Sequence, residues 1–409
     1  MFSLLCQTAR PALVPADERS LHETLSQLPE SAWNDLISQA VIHGTAGLLC
    51  DHLLTHSAAA LPAEMRRACS EFLAAGQSAF AHGLQQLGQI VSALRHAGIP
   101  AVPFKGPVTA LRIYPRPALR QSRDLDLLIA AADRERAFEV LAHCGYRSAV
   151  DDLTPGRRRA YLDYNGQDIL FAPERYPVEP HWALAPRTFS AELDVPGLIQ
   201  RAVAVPVRDC SLPGLSPEDA LLVAALHGAK EEWARLIWVA DIAAMLLAWP
   251  ELNTDLLLAR ARASGCLRVL LLAVLLARDL LGVAAPEPLA RRAEADPTAD
   301  ALAKDIAERL PRLRGEAPSV FQLTRFRWRV RERQRDRLRY AARTLADRAG
   351  ATFPHRVAAG PARVPVSRGA DWPRRAGAAA PARLASRTGR PNVIARSIRG
   401  DCRTGAMHW

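Results

Sequence analysis

Two aspartates one residue apart, in the run Ser122-Arg123-Asp124-Leu125-Asp126-Leu127-Leu128-Ile129, restrict this chain more than any other feature. Side chains alternate along a strand, so residues i and i+2 share a face. Asp124 and Asp126 therefore fall on one face, with Leu125, Leu127 and Ile129 on the other. Two adjacent carboxylates make poor core. They suit a hard cation, because Mg²⁺ takes one or two carboxylates and keeps room for phosphate oxygens. Upstream, an expected strand from Ile99 to Phe104 ends in Lys105-Gly106-Pro107, which offers a cation and a flexible backbone beside a phosphate site. Taken alone, Asp-x-Asp also fits a solvated strand end carrying two surface acids.

The periodicity around this strand changes along the chain. Residues 17–97 read as helices, with Leu84, Leu87, Ile90, Val91 and Leu94 at helical spacing. Residues 99–185 alternate, with strands expected at 99–104, 124–129, 146–150, 167–172 and 177–182 and helices at 107–114 and 133–144. Helical texture returns at Ser216-Pro217-Glu218-Asp219, where Ser216 is placed to cap, Pro217 opens the helix and Asp219 lies at its positive end. Helices are then expected at 217–248, 253–263, 265–282 and 299–310, and a basic helix at 325–343. The division that follows is a helical region 1–97, an α/β core 98–200, a helical region 201–349 and a basic tail 350–409. The tail is rich in Ala, Arg, Gly, Pro and Ser without period, so disorder is expected there. The same composition fits a GC-rich gene read out of frame, and both explanations stay open.

Charge narrows the partners. Of the formal +11, +9 lies in residues 350–409, where eleven Arg face only Asp371 and Asp401. The rest of the chain is close to neutral, so the high overall basicity argues only weakly for nucleic acid. The seven cysteines are scattered, without a Cys-x-x-Cys pair, so no zinc or disulfide framework is expected and a reducing cytoplasm fits. No basic n-region followed by a long apolar stretch opens the chain, so no signal peptide is expected. The most apolar stretch, Val269 to Ala277, is too short to span a bilayer, and no membrane segment is expected.

Beyond these readings, Phe104-Lys105-Gly106-Pro107, Tyr114-Pro115, Arg120 and the run Ser122 to Ile129 resemble a family of uncharacterised nucleotidyltransferases of the DNA polymerase β superfamily. Glu179-Pro180-His181-Trp182 and the segment from Ser216-Pro217-Glu218-Asp219 through His227, Lys230, Trp233, Leu236, Trp238 and Asp241 resemble it too. The resemblance covers roughly residues 20–345 and fails in the last sixty. It implies an α+β fold, a polymerase-β-like mixed sheet flanked by N- and C-terminal helical regions. It also implies a Mg²⁺-dependent enzyme that transfers NMP from an NTP, with ATP expected, to an unknown acceptor hydroxyl with release of pyrophosphate.

The resemblance assigns Asp124 and Asp126 to a two-metal site that stabilises the attacking and leaving oxygens. Glu179 would be the third metal carboxylate or the proton acceptor, with His181 on the same face. Pro180 removes a ladder donor, so this strand is expected to be an edge or interrupted there. Lys105, Gly106, Arg120 and Ser122 would hold phosphates, through a point charge, close backbone approach, a planar fork and a hydroxyl. His227, Lys230 and Asp241 are placed in one helix lining the nucleotide cleft, against the alternative of an amphipathic helix with satisfied polar groups. The Arg-rich segment could contact RNA, though alternate-residue spacing spreads its charge around a solvated helix. A non-catalytic member that binds nucleotide or a protein partner is the competing function.

Overall fold

Leu125–Ile129, which includes Asp126 and begins just after Asp124, forms an interior strand of the sheet. The computed structural model describes residues 1–348 apart from 12–14, 59–60, 190, 192, 209 and 314–318, so the expected basic tail lies outside the described residues. Strands β1 (Ala101–Pro103), β2 (Leu125–Ile129), β3 (Arg147–Ser148), β4 (Leu170–Phe171) and β5 (Val178–His181) build one sheet in the order β1-β2-β5-β4-β3. β2 runs antiparallel to β1 and parallel to β5, with Asp126 opposite Glu179.

Each face of the sheet meets its own apolar core. Leu125, Leu127 and Ile129 pack with Leu87, Ile90 and Leu94 of the long helix Ala63–His96 and with Leu141 of the helix Arg134–His143. Leu128, Val102 and Phe104 join a larger core built by helices before and after the sheet, including Pro217–Lys230, Leu236–Ala248 and Leu267–Leu281. Asp126 shares the face of Leu128, so the carboxylates point toward this larger helical body. Gly98 ends the long helix at φ +69°, a left-handed conformation open to glycine, and turns the chain into β1.

Three expectations are corrected. The helix expected at 217–248 is two, Pro217–Lys230 and Leu236–Ala248. Between them Glu232 and Trp233 both adopt left-handed backbone, and the chain folds back so that the backbone N–H of the fully buried Trp233 donates to the Gly228 carbonyl at 2.7 Å. The basic helix also breaks, into Val320–Arg329 and Gln334–Arg348. At the break Glu332 accepts from the Leu267 and Arg268 N–H groups, capping a neighbouring helix, while Arg331 is buried and donates to the Thr188 and Phe189 carbonyls. β5 is not an edge but lies between β2 and β4. The Pro180 carbonyl accepts from Asp168 on the β4 side, so its nitrogen faces that side too, where β4 pairs only through Leu170 and Val178. The ladder to β2 never needs the missing donor, and the interruption falls on the β4 side alone.

Several elements fall in segments given no strand or helix, among them the helices Val195–Gln200 and Glu287–Glu294. Strands β6 (Val203–Val207) and β7 (Cys210–Gly214) form a separate hairpin, whose Pro206 and Pro213 sit in a two-stranded ribbon with free edges. The helix Pro155–Asn165 packs Leu162 behind the sheet. Among the described residues, no helix is long and apolar enough to cross a membrane.

Candidate active site

The end of β1 delivers a lysine to the carboxylates. Lys105 has extended backbone and precedes the helix Gly106–Ile113, and Gly106 turns the chain at φ +68°. The Thr109 hydroxyl donates to the Phe104 carbonyl at 3.2 Å and ties this turn down. The Lys105 ammonium thus reaches across to β2 and stands 2.8 Å from Asp126 Oδ1.

The parallel register supplies the rest. His181 Nε2 donates to the same Asp126 oxygen at 3.0 Å and lies 3.6 Å from Glu179 Oε2. Gln167 Nε2 donates to Glu179 Oε2 at 3.1 Å. The His181 ring meets Phe104 edge-on, with centroids 4.9 Å apart, and is 1 % exposed. One ligand atom from each of Asp126, Glu179 and His181 falls within 4.8 Å of the others.

Electrostatics distinguish the acids. Burial works against ionising Asp126, but Lys105 and the hydrogen bond from His181 outweigh it and hold the carboxyl well below the usual range. Asp124, just before β2 and half-buried, is pushed up to about 6 by burial and then by Asp126 and Glu179, which Lys105 and Arg120 only partly offset. For Lys105, burial disfavours the charge, yet Asp126 and Asp124 raise its pKa overall. Three carboxylates thus share one local ammonium. The surplus negative charge and the oxygen-rich donor set fit a divalent cation.

Beside Lys105, Gly106 packs near Ser122, and a Cβ at Gly106 would stand 3.5 Å from Ser122 Oγ. That hydroxyl oxygen is buried without a partner. Arg120 directs its fork to Asp241, with Nη2 to Oδ2 at 2.8 Å, and Tyr114 donates to Asp241 Oδ1 at 2.9 Å. His227 packs against Trp238 and, with Lys105, Gly106, Arg120 and Asp241, lines a small cavity of about 30 Å³. Burial, then Lys105 and Lys230, depress the His227 pKa well below its ordinary value. Lys230 pairs with Glu231 at 3.5 Å and stands outside the carboxylate cluster, a positive charge beside His227.

The expected residues are therefore distributed unevenly. Asp126, Glu179 and Lys105 form one cluster, Asp124 acts on it electrostatically but stands outside the Asp126–Glu179–His181 group, Gly106 and Ser122 form its edge, and Arg120 and His227 the adjoining wall. Sequence reasoning gave no role to His181, although its two-residue spacing from Glu179 carried the signal. It also missed Gln167 and the Tyr114–Arg120–Asp241 network, for which no local pattern exists. Arg123 and Arg235 were missed as well: burial, then the nearby charges of Arg123 and Arg120, lower the Arg235 pKa.

Residues 29–282 match a family model described as an uncharacterised nucleotidyltransferase. No curated protein matches the chain.

Proposed function

The chain belongs to this uncharacterised nucleotidyltransferase family, and from that premise we propose that it transfers NMP from an NTP, with ATP as donor, to an acceptor hydroxyl. The observation that carries the proposal is the cluster of Asp126, Glu179, His181 and Lys105 beside Asp124 and the Gly106 turn. Asp124, Asp126 and Glu179 would hold Mg²⁺. Bound there, the ion would supply positive charge to the triphosphate and to the leaving pyrophosphate.

The chain's own groups account for the remaining steps. Lys105 exchanges its Asp126 partner for a phosphate oxygen, because it is the one ammonium in direct contact with the cluster. Gly106 lets a phosphate approach the backbone, and the unpartnered Ser122 hydroxyl donates to it. Glu179, oriented by Gln167, takes the proton of the acceptor hydroxyl as its oxygen attacks the α-phosphorus. The α–β bridging bond breaks in the same displacement, and pyrophosphate carries away the electron pair. Arg123 and Arg235 bring cationic charge near Arg120, which suits the outer phosphates. In this reading residues 98–200 form the transfer core, and the helical regions 1–97 and 201–349 frame it.

The test is label transfer from each α-labelled NTP, with pyrophosphate release, using cell extract as acceptor source. Wild type is expected to transfer label, while Asp124→Asn and Asp126→Asn lose it by about 10³-fold or more, with circular dichroism unchanged. Undiminished turnover in both variants would sink the site assignment. One observation favours a second reading, a non-catalytic nucleotide- or protein-binding member: Lys105 already neutralises Asp126. Tight NTP binding without pyrophosphate release would select that reading.

A further inference from the structure

A site built to hold Mg²⁺ alone would present only oxygens. This one presents a nitrogen as well. His181 Nε2 is the ring atom aimed at the carboxylates, 3.0 Å from Asp126 Oδ1 and 3.6 Å from Glu179 Oε2. The ring has little freedom to turn away, since it is buried and braced edge-on by Phe104. Asp126 itself is 3 % exposed, so both groups are committed to the same small volume. The parallel register, which sets Asp126 opposite Glu179, fixes the donor set into the backbone of the sheet rather than into a loop.

We propose that His181 Nε2 is a metal ligand together with Asp126 and Glu179, and that the site therefore selects a first-row transition ion such as Mn²⁺ over Mg²⁺. The inference rests on the carboxylate metal site proposed above and deepens it. The chemistry is that of ligand preference. Mg²⁺ is bound by carboxylates and water and gives up its water reluctantly, whereas imidazole nitrogen favours first-row transition ions. Lys105 fits the same picture. Its ammonium stands 2.8 Å from the shared Asp126 oxygen, the place an incoming ion would take.

The experiment uses the full chain and Mn²⁺ alone as probe. Binding is read by the loss of the free Mn²⁺ electron paramagnetic resonance signal, and ligation by electron spin-echo modulation in protein made with ¹⁴N- or ¹⁵N-histidine. Wild type is expected to bind Mn²⁺ with nitrogen modulation that changes with the histidine isotope. Mg²⁺ should compete only at about tenfold higher concentration or more. His181→Gln should lose the modulation and weaken Mn²⁺ binding by about tenfold. Mn²⁺ bound to wild type without isotope-sensitive modulation would overturn the histidine ligand and leave the carboxylate site standing. Folded wild type that binds no Mn²⁺ would overturn the metal site itself. If the His181→Gln variant does not fold, His227→Gln tells the two neighbouring imidazoles apart: modulation retained assigns the nitrogen to His181, and modulation lost overturns that assignment.

Discussion

One oxygen of Asp126 accepts both Lys105 and His181, and this double contact keeps a deeply buried carboxylate ionised. Asp168, one position from Gln167, shows the opposite balance. Burial pushes its carboxyl up to about 6, only partly offset by the Ser148 hydroxyl and the Ile169 N–H. A carboxyl whose pKa is raised on folding stabilises the fold fully below the ordinary value of 3.8 and loses that contribution as pH rises through about 6. Asp168→Asn is thus expected to exceed wild type in stability by about 3 kcal/mol at pH 8, with the pH-dependent gain fading as pH falls toward 4. Urea denaturation across that pH range checks it, and a gain that does not vary with pH would refute the assignment. At this scale the sequence showed which residues could share a face: Asp124 with Asp126, and Glu179 with His181. It could not show that Tyr114, Arg120 and Asp241 meet, because that contact spans more than a hundred residues.

The turn after Lys230 decides where a whole helix face goes. Trp233 folds onto its own preceding helix, and a Cβ at Gly228 would lie 2.6 Å from its indole ring. Glu232 is 1 % exposed and faces Arg309 and Arg327 at 3.7 and 3.8 Å, which holds two consecutive left-handed residues in place. Gly228→Ala must move the indole or the turn, and with it His227 on one side and Asp241 on the other. A destabilisation of about 1–3 kcal/mol is expected, read by urea denaturation, together with a loss of NTP affinity. An unchanged midpoint would show that the turn relaxes freely. The periodicity of 217–248 gave no sign of this break, since both halves are apolar and helical. Capping at Ser216 was legible because it is local: the side chain accepts from Asp219 N–H as the residue order implies.

At the scale of the molecule, the sheet joins two cores that the chain assembles from distant segments. Leu127 and Leu128 are both fully buried, one in each core. Leu127→Ala and Leu128→Ala should each cost about 2–5 kcal/mol and lower one common unfolding transition, because adjacent residues of β2 link the cores. Two separable calorimetric transitions would contradict that linkage. Charge also looks different at this scale. Arg327, Arg329 and Arg331 of the basic segment serve Glu232, Asp305 and the 188–189 backbone, so much of the segment's cation content is structural. By itself the sequence determined the alternation of helix and strand, the face shared by the aspartates, the Lys105-Gly106 turn and the family resemblance. These are properties of spacing along a few residues. Only the tertiary structure decided that β5 lies beside β2 in parallel, that His181 joins Asp126, and that Asp241 arrives from a second helix. Those outcomes depend on which buried surfaces match across the fold, and no local periodicity encodes that match.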